Sequence, residues 1–251
     1  LVKELTNFVF KIIIALTIVC CANRGTPTGG EIDEVAPSII KSTPENYTLN
    51  FNSKEIRVYF DEYIKFKNLQ KYLIISPPID PAPEITPLGT ASKYLEIKFQ
   101  DSLQPNSTYV FNFGESIVDN NADNVFSNYK YVFSTGKYID SLKINGSLKD
   151  ALERKVSEEI NVMLYEIDST TSDSIIYKSK PKYITKLIDS TGLFSLENLK
   201  KGEYLLIALK EENIDYIYQN ATDKIAFYSG IIQLPRDTGN YNLKLFKENL
   251  D

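Results

Sequence analysis

In the stretch YLEIKFQDSLQPNSTYVFNF, residues 94–113, Leu95, Ile97 and Phe99 alternate with Glu96 and Lys98. Successive side chains on a strand point to opposite faces, so this is a strand with one buried face. Leu103-Gln104-Pro105-Asn106-Ser107 then reads as a tight turn, and Thr108-Tyr109-Val110-Phe111-Asn112-Phe113 as the next strand. Tyr109, just inside that strand, fits a tyrosine corner, in which a buried ring sends its hydroxyl back to the turn backbone. A tyrosine that merely packs is the competing reading.

The pattern spreads outward from there. Ile56-Arg57-Val58-Tyr59-Phe60, Tyr72-Leu73-Ile74-Ile75 and Tyr129-Lys130-Tyr131-Val132-Phe133 have strand character and are separated by Asn, Pro, Gly and Ser clusters. After Gly136 the chain restarts. Ser141 to Gly146 reads as a strand running into a turn, Asn161 to Tyr165 as a strand, and Asp189 to Leu196 as a turn entering a strand. Leu199 to Tyr204 leads into Leu205-Leu206-Ile207-Ala208, and Tyr241 to Phe246 is a further strand. Short strands at this spacing predict an all-β chain of two tandem antiparallel β-sandwich domains, joined near Gly136–Asp140. Helix is expected in the N-terminal segment and at most in a short turn around Lys149–Glu159. The chain stops at Asp251, soon after that strand, from which a truncated C-terminus is expected.

The 251 residues suit one or two domains at roughly 100–200 residues each. With 43% hydrophobic and 24% charged residues the chain is globular in composition. A net charge of -5 leaves no basic footprint for nucleic acid. Histidine is absent, which removes Ser-His-Asp and Cys-His catalysis and imidazole metal ligands. Tryptophan is absent too, so 17 tyrosines and 13 phenylalanines carry all the aromatic mass. The two cysteines, Cys20 and Cys21, are neighbours, which seldom meet disulfide geometry.

Those cysteines close an N-terminal segment. Lys3 and Lys11 precede Ile12 to Cys21, which is apolar but for Thr17, and a polar glycine-rich spacer follows. A spanning helix needs about 20 apolar residues, so the run is the core of a signal peptide. Ile18-Val19-Cys20-Cys21 resembles the lipobox of bacterial lipoproteins, which implies that Cys21 is lipidated. Cys20 is the rival acceptor, but Thr17 fits its -3 position less well. An ordinary signal peptide with a chance cysteine pair is the alternative. Acyl chains would replace a transmembrane helix as anchor, at about 0.8 kcal/mol per buried CH2.

Two further resemblances cover the remainder. Ala36-Pro37, Ser42-Thr43-Pro44, Val58 to Tyr63, Leu103 to Tyr109, Ile117 to Asn121 and Val132 to Gly136 together resemble the bacterial Ig-like domain that opens many Bacteroidota lipoproteins. The Asp189-Ser190-Thr191-Gly192-Leu193-Phe194 turn and Leu199-Lys200-Lys201-Gly202-Glu203-Tyr204-Leu205-Leu206 resemble the prealbumin-like domains related to the carboxypeptidase regulatory domain. Gly192 and Gly202 are expected in turns, and Tyr204 in a second tyrosine corner. The organisation is therefore a signal peptide (1–20), a lipidated cysteine and tether (21–35), an Ig-like domain (36–137) and a prealbumin-like domain (138–251).

Candidate chemistry is sparse. Asp61 and Glu62 are strand neighbours that point to opposite faces, so they suit a strand-end turn better than an acid–base pair. Asp119, Asn121 and Asp123 copy the first half of a calcium loop, but Asn124 stands where glycine is needed and Lys130 where the closing glutamate is. A hydrogen-bonded turn is the better reading, and Glu211, Glu212, Asn213 and Asp215 are read the same way. Pro77 to Pro87 is a stiff segment, read as protecting an exposed sheet edge rather than as a partner site. Asp-Ser pairs at Asp101, Asp140, Asp168, Asp173 and Asp189 resemble the O-glycosylation acceptor pattern of exported Bacteroidota proteins, which would modify Ser102, Ser141, Ser169, Ser174 and Ser190.

No catalytic residue, cofactor or metal is called for. The expectation is a non-catalytic outer-membrane lipoprotein on the periplasmic or cell-surface side. It would act as a spacer or docking module, or as an accessory subunit, for other envelope proteins. The alternative is a glycan-binding lipoprotein of a polysaccharide-uptake system, marked by a row of exposed tyrosines on one sheet. A hydrolase is a third reading, and would need two carboxylates converging in a cleft.

Overall fold

The computed structural model describes residues 3, 4, 6, 8, 30, 33–153, 159–168, 173–187 and 190–248. Cys20, Cys21 and the apolar run before them lie outside the described residues, as does Ser169. Lys3, Glu4, Thr6 and Phe8 are helical. No helix of the described residues is long and apolar enough to cross a membrane.

Glu34–Asp251 forms one compact body, and it is all-β. Its first lobe contains β1 (Ile39–Thr43), β2 (Glu55–Phe66), a four-residue helix α1 (Leu69–Tyr72), β3 (Ile74–Ser76), β4 (Glu84–Thr86), β5 (Ser92–Lys98), β6 (Thr108–Asn112), β7 (Ile117–Asp119) and β8 (Lys130–Ser134). One sheet runs β1-β2-β5-β4 with β7 also on β2, and the other runs β3-β6-β8. All of these pairs are antiparallel. The alternation explains the packing. On β2, Ile56, Val58, Phe60 and Ile64 are buried and Arg57 and Tyr59 face outward; on β5, Leu95 and Ile97 are buried and Tyr94 and Lys98 exposed. The two inner faces meet in an aromatic core that includes Phe51, Phe60, Phe111, Phe113 and Phe133.

The second lobe contains β9 (Leu142–Asp150), β10 (Asn161–Glu166), a 3-10 turn (Asp173–Tyr177), β11 (Tyr183–Lys186), β12 (Leu193–Leu199), β13 (Gly202–Lys210), β14 (Lys224–Phe227), β15 (Ile232–Leu234) and β16 (Asn240–Leu245). The sheet β11-β10-β13-β14, with β15 also on β13, packs on the sheet β12-β9-β16. β16 runs parallel to β9, the one parallel strand pair among the described residues. Ile144, Val162, Leu164, Phe194, Leu206 and Leu243 fill the space between the sheets. The first five residues of β10 are all buried, because its other face is covered as well. There Met163, Tyr165, Ile207 and Leu209 pack with Tyr218 and with Ile74 of the first lobe.

Several local expectations need correction. Tyr72 ends α1 rather than starting a strand, and β3 begins at Ile74. Lys149 itself lies in a strand, since β9 continues through Asp150, and residues 154–158 of the expected turn lie outside the described residues; among the described residues beyond the N-terminal segment the helical turns are α1 and the 3-10 turn. β9 also runs straight through Gly146, which was expected to turn. A Cβ at Gly146 would run into the Phe194 ring and the Tyr241 carbonyl oxygen, so glycine is there for close approach. Gly202 opens β13, where a Cβ would lie 2.9 Å from the Tyr204 hydroxyl. Gly192 does occupy a turn, with φ +80°. The prolines at 77–87 flank β4, which is an edge strand, and Pro77, Pro83 and Pro87 are buried.

Candidate functional site

Tyrosine hydroxyls pin the turns that shape both lobes. The Tyr109 ring is 2% exposed and lies 5.4 Å from Phe133 at an 18° tilt. Its hydroxyl accepts the Gln104 N–H at 2.9 Å, which is the tyrosine-corner contact read from the sequence. Burial pushes the Tyr109 phenol up, against the opposing pull of that hydrogen bond. Tyr204 donates to the Lys200 carbonyl at 2.9 Å, and Tyr241 donates to the Asp237 carbonyl at 2.6 Å. Tyr241 gave no such signal in the sequence.

The two lobes are clasped at a polar junction. Thr108 Oγ1 donates to Asp140 Oδ2 at 2.9 Å and accepts the Asp140 N–H at 2.9 Å, while Asn198 Nδ2 donates to the Asp140 carbonyl at 3.0 Å. The Ile184 N–H of β11 donates to Ser76 Oγ of β3 at 3.1 Å, so these two edge strands shield one another. Ion pairs Lys71–Glu159 (2.9 Å), Lys130–Glu197 (2.8 Å) and Lys180–Asp80 (3.2 Å) cross the same boundary.

A groove of about 420 Å³ runs along this junction, lined by Tyr72, Asn112, Asn128, Thr185, Ser195 and the two paired lysines Lys71 and Lys130. A second hollow of about 470 Å³ shares Lys71, Glu159 and Lys186 with it and extends to Asn161, Glu211 and Glu212. Burial pulls the Lys186 ammonium down, and its Nζ donates to the Lys71 carbonyl. Burial pushes the Glu211 carboxyl up, although Asn161 Nδ2 (2.9 Å) and the Tyr216 N–H (2.7 Å) both donate to it. Three of the groove carboxylates therefore serve as ties: Glu159 to Lys71, Glu197 to Lys130, and Glu211 to Asn161. The wider Glu211–Asp215 cluster is a turn, in which Asp215 accepts the Ile217 N–H at 2.9 Å.

The remaining sequence candidates resolve into local structure. Asp119 is fully buried and accepts the N–H groups of Asn121, Ala122 and Asn124, each at 2.6 Å. Burial alone would raise its carboxyl, but those donors outweigh it and hold it below the usual range. Asp123 turns to Lys65 (2.9 Å) and Lys67 (3.2 Å), away from Asp119's ring of amides. Asn121 is exposed. Among the described residues no group of three or more His, Cys, Asp or Glu is placed to hold a metal ion. Asp61 accepts the Ser38 N–H (2.8 Å) and hydroxyl (2.6 Å), tying the entry of β1 to β2. Ser102, Ser141 and Ser190 are exposed and Ser174 is half-buried.

Six tyrosines (109, 131, 165, 183, 204 and 218) are buried. Three others, Tyr59, Tyr63 and Tyr94, lie on the outer face of the β1-β2-β5-β4 sheet. That row had no signature in the sequence, because pairing Tyr59 with Tyr94 depends on strand register.

Residues 33–135 match the bacterial Ig-like domain family. That stretch contains every strand of the first lobe. No curated protein matches the chain. Among solved structures it is similar to the N-terminal part of the bacterial S-layer protein SbsC, at 13% identity and TM-score 0.28 over 86% of this chain and 45% of that one. It is also similar to an L,D-transpeptidase from Mycobacterium smegmatis, at 10% identity and TM-score 0.27 over 84% and 90% of the two chains. The major pilin subunit BcpA of Bacillus cereus aligns at 12% identity and TM-score 0.25 over 84% and 70%. The chain thus spans less than half the length of the S-layer fragment.

Proposed function

We propose that this chain is a non-catalytic lipoprotein of the outer membrane, held by Cys21, whose two β-lobes act as a rigid spacer or docking module for other envelope proteins. The observation that carries the reading is the junction. The two lobes are clasped by the Thr108–Asp140 and Ser76–Ile184 hydrogen bonds and three ion pairs, which suits a module that holds its partners at a set distance. The apolar run ending at Cys21 supports the anchor. In this reading 36–137 is the Ig-like domain and 138–251 the prealbumin-like domain. The exposed Ser102, Ser141 and Ser190 are then open to O-glycosylation during export.

Expression in a bacterial host with labelled palmitate tests the anchor. Wild type should carry label in the membrane fraction, and Cys21→Ala should lose both label and membrane retention. Label that persists in the variant would overturn the assignment.

A second reading, glycan binding, draws on one observation: Tyr59, Tyr63 and Tyr94 share one open sheet face. Exposed aromatic faces are suited to stacking on sugar rings.

A further inference from the structure

The outer face of the β1-β2-β5-β4 sheet combines aromatic rings with unanswered positive charge. Tyr59 and Tyr94 stand directly opposite one another on β2 and β5, with ring centres 5.8 Å apart and planes inclined at 44°. Tyr63 is four residues further along β2, roughly 13 Å away at about 3.3 Å per residue, and is 54% exposed. Each ring has a cation over it. Lys41 lies 4.9 Å from Tyr59, Arg57 5.8 Å from Tyr94 and Lys93 5.4 Å from Tyr63.

The charges on this face divide unequally. Arg57 is already committed to Glu55 (3.3 Å) and Glu96 (2.6 Å), and Lys98 to Glu96 (2.8 Å). Asp61 is answered by the amide and hydroxyl of Ser38. Lys41 and Lys93, in contrast, take part in no ion pair among the described residues; Lys93 Nζ donates to the Asp61 carbonyl at 3.3 Å. Apart from Glu84, at the far edge of the sheet on β4, the carboxylates Glu55, Glu96 and Asp61 thus have partners, while the two ammonium groups beside the rings have no carboxylate partner among the described residues. A ligand that fits needs an apolar ring face for the tyrosines and an anionic group for each lysine. A neutral sugar would leave the lysines unanswered, and a chain of plain anions would leave the rings uncovered.

We propose that this face binds a uronate-containing polysaccharide, with pyranose rings stacked on Tyr59 and Tyr94, one carboxylate paired with Lys41, and a further carboxylate meeting Lys93 where the chain reaches Tyr63. The proposal rests on the glycan reading above and names its chemistry. Tyr63 with Lys93 extends the same track along β2.

Calorimetric titration of the full chain with tetragalacturonate, maltotetraose and polyglutamate tests it. Tetragalacturonate should bind, maltotetraose markedly more weakly, and polyglutamate weakly. Tyr59→Ala and Tyr94→Ala should each weaken the uronate by about tenfold or more, a change of ~1.4 kcal/mol. Tyr94→Phe, which keeps the ring, should retain most of the affinity, and Tyr138→Ala, at an exposed ring outside this face, should change nothing. The double variant Lys41→Gln with Lys93→Gln should erase the preference for the uronate. Equal binding of maltotetraose, unchanged in the lysine variant, would overturn the acidic ligand while leaving the glycan reading in place. Binding of neither sugar would overturn both. Polyglutamate binding as tightly as the uronate, with no effect of Tyr94→Ala, would show a general polyanion surface and overturn the proposal.

Discussion

Tyr109 separates a hydrogen bond from a packed ring at one position. Its hydroxyl accepts the Gln104 N–H at 2.9 Å, and its ring is 2% exposed against Phe133. Tyr109→Phe keeps the ring and leaves the Gln104 amide without its acceptor. Gln104 itself is exposed, so water can answer part of that loss, and the cost should be about 1 kcal/mol. Tyr109→Ala also removes the ring from a close-packed aromatic core, which should cost about 3–5 kcal/mol. Urea unfolding followed by far-ultraviolet circular dichroism measures both, with an unchanged slope confirming that the same surface unfolds. A neutral Tyr109→Phe beside a severe Tyr109→Ala would show that the hydroxyl pins nothing and that the corner is packing alone. Neutrality of both would place the ring at the surface and refute the register of β6 against β8.

Stability should fall steeply in alkali. Burial raises the phenols of Tyr109, Tyr131, Tyr165 and Tyr204 and pushes Tyr183 up to about 12, so the folded state retains protons that the unfolded chain releases near its usual value of about 10. This contribution is fully present below about pH 10 and is lost as pH rises towards the folded values; urea midpoints that stay level from about pH 8 to about pH 11 would contradict it. Asp140→Ala removes the carboxylate that accepts the Thr108 hydroxyl, while the backbone N–H of residue 140 still donates to Thr108 Oγ1; it should cost about 1–3 kcal/mol, with faster proteolytic cleavage between the lobes, and cleavage at the wild-type rate would show that the junction is held elsewhere. Gly146→Ala drives a methyl into the Phe194 ring and the Tyr241 carbonyl, and should lower stability by about 3 kcal/mol or more in the same urea assay.

The alternation in residues 94–113 was enough to place two strands, the turn between them and the buried Tyr109, because a period of two and a proline-bearing turn are local properties of the chain. Composition alone removed histidine chemistry, and the half-formed calcium loop was already legible as a turn from Asn124 and Lys130. Local pattern misled at Tyr72, Gly146 and Gly202. Gly146 is demanded by the Phe194 ring and the Tyr241 carbonyl, which arrive from distant strands, and nothing beside it in the sequence announces that; Gly202 is crowded by Tyr204, two residues along its own strand. Strands as short as β4, β7 and β15 carry too few residues for a period, and they form because a longer neighbour offers an edge. The tyrosine row, the clasp of Thr108 on Asp140 and the shielding of β3 by β11 were decided by tertiary structure. Each joins residues separated by at least 30 positions, and register and docking are global outcomes of burying two cores.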